Sequence, residues 1–97
     1  MSAPLRSRAD VVTATPERYA KQLVSHLGRR LTWQVDGGTS TAQIGDATGS
    51  VVVGDGVLTL LASGADAAGL EQVEHVLGSH LERFGTRDEL VVAWQRS

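Results

Sequence analysis

Hydrophobic and polar positions along this chain change period several times, and each change marks an element. From Arg8 to Ala14 they alternate, with Val11 and Thr13 on one face and Asp10 and Val12 on the other, as in a strand. Thr15-Pro16-Glu17 then reads as a helix start: a capping oxygen, proline at the first helical position and an acid in the first turn. Tyr19, Ala20, Leu23, Val24 and Leu27 form one apolar stripe, and Gly28 is placed to stop the helix. Leu31 to Asp36 alternates again, and Gly37-Gly38 turns the chain. Thr41 to Ile44 is a weaker strand, followed by a turn over Gly45 to Gly49. Val51 to Val53 and Val57 to Leu61 flank Gly54-Asp55-Gly56, a hairpin signal because Asp-Gly tolerates the positive φ of a tight turn. Asp66 caps a second helix over about 67–84, and Leu90 to Trp94 reads as a last strand.

The order is therefore β-α-β-β-β-β-α-β. Consecutive short strands joined by tight turns predict an antiparallel meander, and two amphipathic helices need one apolar surface in common. The expected fold is α+β, a two-layer sandwich with both helices on one face of an antiparallel sheet. Residues 1–7 are expected as a flexible tail, and 8–97 as a single domain.

Bulk properties narrow the function classes. A chain of 97 residues buries only roughly 60–65% of its unfolded surface, which leaves little room for a deep cleft. Its net charge is −2 and its arginines are scattered, so no basic face points to nucleic acid. Cysteine is absent, which removes thiolate metal sites and thiol nucleophiles and favours a cytoplasmic setting over a secreted one. No apolar stretch approaches the roughly 20 residues that would cross a bilayer.

The candidate chemistry lies with histidine. Leu70, Val73, Val76, Leu77, Leu81 and Phe84 span about 140° of the second helix. His80 falls inside that arc and is expected to point toward the sheet, whereas His75 falls on the solvent face. His26 lies at the edge of the first helix's stripe. Helices side by side would let His26 and His80 approach, and two imidazoles with a third donor can hold a transition metal or haem iron. The bland alternative is two structural histidines, each bonded to protein. Asp46, Asp55 and Asp66 are explained by turns and a cap, and Glu71, Glu74 and Glu82 read as solvated charges. Trp33 and Trp94 read as core.

Several segments taken together carry a resemblance: Pro16 to Leu23, His26-Leu27-Gly28, Gly78 to Phe84 and Ala93 to Arg96. They resemble the bacterial family called domain of unknown function 2218, over roughly residues 8–96. His26, His80, Arg83 and Phe84 match its characteristic residues. Some members occur beside or fused to siderophore-interacting flavin reductases, and the resemblance therefore implies an iron-handling context. Many members carry a second histidine where this chain has Arg29, and arginine cannot coordinate a metal.

Three functions are consistent with these features. The first is a non-catalytic cytoplasmic accessory or binding protein for a small ligand, linked to siderophore or haem handling, with His26, His80 and Arg83 as the ligand-binding residues and a siderophore-interacting reductase as partner. The second is a small enzyme using His80 as general acid or base. The third is a self-associating module that dimerises through the open sheet face, where Val12, Val52, Val91 and Ala93 are expected. The identity of any metal or cofactor is not written in the sequence.

Overall fold

The meander is the frame on which the rest is hung. The computed structural model describes residues 4–97. Its elements are β1 (Leu5–Val12), α1 (Pro16–Leu27), β2 (Trp33–Asp36), β3 (Thr39–Ile44), β4 (Ala47–Val53), β5 (Val57–Gly64), α2 (Ala67–Phe84) and β6 (Gln95–Arg96). All strand pairs are antiparallel, in the spatial order β2-β3-β4-β5-β1-β6. The expected α+β sandwich is what forms.

Several boundaries differ from the sequence reading: β2 begins at Trp33, β3 at Thr39 and β5 extends to Gly64, and three further differences matter for the fold. β1 begins at Leu5, so residues 5–7 pair with β5 and are no tail; the first three residues of that expected tail lie outside those described. Ser7 continues the inward series of Ala9 and Val11, but a small hydroxyl carries too weak a hydrophobic signal to be read as a strand position. The turn after Ile44 is only Gly45-Asp46, and Ala47 to Gly49 already belong to β4. Leu90 to Trp94 alternate in burial as a strand would, yet pair with nothing in the sheet; only Gln95 and Arg96 do.

Residues 90–94 instead form a strap along α2. Leu90 covers Gly85, and Val92 and Trp94 cover Gly78, where a β-carbon would lie 3.0 Å from Trp94 Nε1. The Val92 amide donates to Glu82 Oε2 at 3.0 Å. Arg96 then grips Glu74 with two hydrogen bonds, at 2.9 and 3.2 Å, and approaches Glu71 at 3.7 Å. Glu74 is thus no solvated charge: its side chain is 13% exposed. Arg96 holds the Glu74 carboxyl below the ordinary carboxylate range, with a smaller contribution from the nearby Ser7 hydroxyl, whose approach falls short of a formed hydrogen bond. At its start the strap is tied to α1 by the Tyr19 hydroxyl, which donates to Asp88.

The core is small-residue sheet against large-residue helix. Ala9, Ala42, Ala47, Gly49 and Ala62 face Leu23, Leu70, Val73, Leu77 and Leu81, with Val51, Leu58 and Leu60 filling the centre. A β-carbon on Gly49 would lie 3.0 Å from both Leu77 Cδ1 and Val73 Cγ1, so α2 sits directly on β4 backbone there. At α1 the Thr15 side chain does not cap; its amide donates to the buried Thr13 hydroxyl at 3.2 Å. Asp66 does cap α2, accepting the Gly69 amide at 2.8 Å.

Two predictions follow from this packing. Gly49→Val should lower stability by about 1–3 kcal/mol, read by urea unfolding, because Val73 and Leu77 have no room to retreat. The Glu74–Arg96 pair should make stability fall with acid. A carboxyl lowered by folding stabilises above its ordinary range, and that contribution is lost as pH falls through the lowered value. Glu74→Gln should therefore be less stable at neutral pH and lack that acid-dependent decline; parallel pH profiles would refute the pair's role.

Candidate functional site

The two helices lie side by side because both are held by the same strands: α2 crosses β1, β5 and β4, and α1 crosses β4 and β5. Their mutual contact brings the last turn of α1 to the second half of α2. His26 and His80 meet there, with ring centroids 5.3 Å apart and planes tilted by 47°. Phe84, one turn beyond His80, sets its ring edge-on to His26 at 5.2 Å. The three side chains form one aromatic cluster at the outer end of the helix–helix seam.

The expected approach of the two histidines is therefore present, but His80 does not point toward the sheet. Val73, Leu77 and Leu81 are fully buried against the strands, whereas Val76 and His80 are only half-buried. The apolar arc of α2 is wide because it serves two neighbours, the sheet and α1, and His80 lies on the α1 side. His26 and Arg83 are exposed, and His75 is exposed on the solvent face as expected. Arg29, at the position of the family's second histidine, is exposed beyond the end of α1.

One hydrogen bond defines the chemistry of His80. Its Nδ1 lies 2.6 Å from the Val76 carbonyl oxygen. A carbonyl can only accept, so Nδ1 carries the proton and the neutral ring keeps its lone pair on Nε2. Among the described residues no protein hydrogen bond reaches that Nε2. A carbonyl that fixes the tautomer from behind is the usual second-shell support of a metal-binding imidazole.

The centroid separation has a chemical meaning. An imidazole nitrogen sits at 2.0–2.1 Å from a bound first-row metal, which puts the ring centre about 3.2 Å from it. Two such rings at a tetrahedral angle have centres about 5.2 Å apart; trans ligands would be about 6.4 Å apart. The observed 5.3 Å is close to the former, and it is also within the roughly 4.5–7 Å of ordinary aromatic contacts. No cluster of three or more His, Cys, Asp or Glu suited to a metal occurs among the described residues, so the protein offers two donors at most here.

Concave surfaces lie elsewhere. A groove of about 1120 Å³ runs between the start of α1 and the turns at Gly37-Gly38 and Gly54 to Gly56. A smaller hollow of about 390 Å³ opens on the sheet face opposite the helices. Neither is lined by His26, His80 or Arg83. Of the apolar residues expected on that open face, Val12 is there and 81% exposed, and Val52 is there and half-buried, but Val91 and Ala93 belong to the strap.

The fold and site define a small α+β domain with a paired-imidazole seam between its two helices. The chain belongs to the family described as uncharacterized protein conserved in bacteria, domain of unknown function 2218, whose pattern matches residues 8–95. Its fold is similar to the NMR structure of PA4090 from Pseudomonas aeruginosa, with a TM-score of 0.79, 23% identity, and coverage of 94% of this chain and 95% of that one. No curated protein matches the chain.

The tautomer assignment is directly measurable. Long-range proton–nitrogen correlation spectra of the neutral rings should show His80 as the Nδ1-protonated form. An Nε2-protonated His80 would remove the free lone pair from the seam.

Proposed function

We infer that this protein is a non-catalytic cytoplasmic accessory protein that binds a metal already carried by a small ligand. The observation that carries this reading is the His26–His80 pair, with ring centroids 5.3 Å apart and the His80 tautomer fixed by Val76. Two donors are too few to hold a bare ion in a closed site, where zinc takes four. They suit a partly liganded complex that retains two adjacent open positions. Imidazole is a suitable donor for zinc, copper, nickel and iron. Arg83, three residues beyond His80 on the same helix, can pair with an acidic group of the ligand.

The family resemblance directs this reading to iron, in a siderophore-linked setting with a siderophore-interacting reductase as partner. The 5.3 Å separation is well short of the about 6.4 Å that two trans ligands require, which disfavours haem, whose open positions are trans. An enzyme built on His80 is the weaker reading, because the groove at the start of α1 and the hollow on the sheet face both lie away from the ring.

Titration with nickel, zinc and a partly liganded ferric complex such as ferric nitrilotriacetate tests the proposal, with calorimetry and thermal unfolding as readouts. Saturating binding should raise the melting temperature. His26→Ala and His80→Ala should each weaken binding by roughly tenfold or more, in line with loss of one metal donor, while His75→Ala should leave it unchanged. Equal binding by all four proteins would overturn the site.

A further inference from the structure

The open face of the sheet is a grid whose rows can be read from the strand registers. One row runs Asp10, Thr59, Val52, Thr39, and the next runs Arg8, Leu61, Ser50, Thr41. Apart from Thr39, the polar members of both are engaged with one another. Arg8 donates to Asp10 at 3.1 Å, Thr59 donates to Asp10 at 2.7 Å, and Ser50 and Thr41 share a hydrogen bond of 3.0 Å.

The third row differs. It runs Arg6, Ser63, Thr48 and ends at Gln43, which donates to the Gly45 carbonyl at 3.2 Å and leaves the first three unengaged. Among the described residues no side-chain hydrogen bond or ion pair engages any of the three, and all three line the 390 Å³ hollow. Leu61 lies in the hollow beside them, and Arg8 and Ser50 form its far side. A volume of that size is within the range that holds a small organic ligand.

We propose that this hollow is a binding site for a small phosphate monoester, separate from the histidine seam on the other side of the sheet. The donor set selects the ligand. A guanidinium takes two oxygens of an oxyanion, and two adjacent hydroxyls reach a third. A phosphate monoester presents three terminal oxygens to these donors, with one ester arm left over, whereas a carboxylate must share its two oxygens among the guanidinium and both hydroxyls. Leu61 offers an apolar floor to the carbon of the ester arm. Arg6 supplies the charge, since Arg8 is already neutralised by Asp10.

The test is a titration of the isotope-labelled full chain, followed by amide chemical shifts at constant ionic strength. The probes are methyl phosphate, inorganic phosphate and acetate. Methyl phosphate should give saturating shifts centred on Arg6, Thr48 and Ser63, with acetate at least roughly tenfold weaker, as expected when two oxygens must serve all three donor groups. Arg6→Gln should weaken methyl phosphate binding by about tenfold or more, and Ser63→Ala by a smaller factor, both with otherwise native spectra. Non-saturating shifts, equal affinity for acetate, or an Arg6→Gln protein that binds as well as the parent would overturn the proposal. Saturation by inorganic phosphate with exclusion of methyl phosphate would overturn the ester assignment. Shifts concentrated instead at Arg18 and Lys21, in the larger groove, would refute the location.

Discussion

The close seat of α2 on the sheet governs the rest of this molecule. It depends on what is missing from β4 and its neighbours: Gly49 has no side chain, and Ala47 and Ala62 have little. Val73 and Leu77 fill that space, so the helix axis is pinned over the sheet. In a domain of this size each buried methyl is a large share of the apolar surface, and a helix held at one distance cannot be repositioned cheaply. With α2 fixed, α1 has one remaining strip of sheet to cover, and the contact between the helices follows.

The imidazole pair is a product of that contact. Neither histidine is placed by its own burial: His26 is exposed and His80 half-buried. Both sit where the seam reaches solvent, which is the region of a packed interface that tolerates polar rings. Phe84 adds an aromatic wall, and the Val76 carbonyl turns the His80 ring so that its basic nitrogen is free. The opposite surface of the sheet shows the same logic in another form. Its polar side chains are neighbours through strand register, and whether each row satisfies itself or faces solvent decides where a ligand could be held.

Most of the architecture was legible in the sequence because it is written in strong local signals. Asp66 with the apolar run behind it fixes α2 to the residue, and Gly54-Asp55-Gly56 fixes the β4–β5 hairpin. The misses share a cause. Ser7 in β1 and Ala47 and Gly49 in β4 are small residues whose inward position matters for closeness, and closeness leaves no hydrophobic pattern. Leu90, Val92 and Trp94 alternate correctly, but alternation cannot tell a sheet from the flank of a helix as the surface being covered. The meeting of His26 with His80 followed from two stripes and a shared sheet; the side of α2 that His80 occupies required knowing that one apolar arc serves two partners. Glu74 was read as solvated because its partner, Arg96, is 22 positions away and pairs with it only once the strap is laid down.

The place of β1 in the sheet has a bearing on how this chain reaches its structure. The meander strands pair across turns of a few residues, but β1 meets β5 through partners 45 to 59 positions apart. Closing a loop of that length costs about 2 kcal/mol more than closing a hairpin. The meander can therefore assemble as a local event, whereas insertion of β1 commits the topology; α1 takes its place against β4, β5 and α2. Non-local pairing of this kind slows folding relative to a purely sequential sheet. The two histidines, on helices that flank the meander in the chain, become neighbours only once both helices have packed on it, so their proximity is a marker of the assembled two-layer fold rather than of the meander alone.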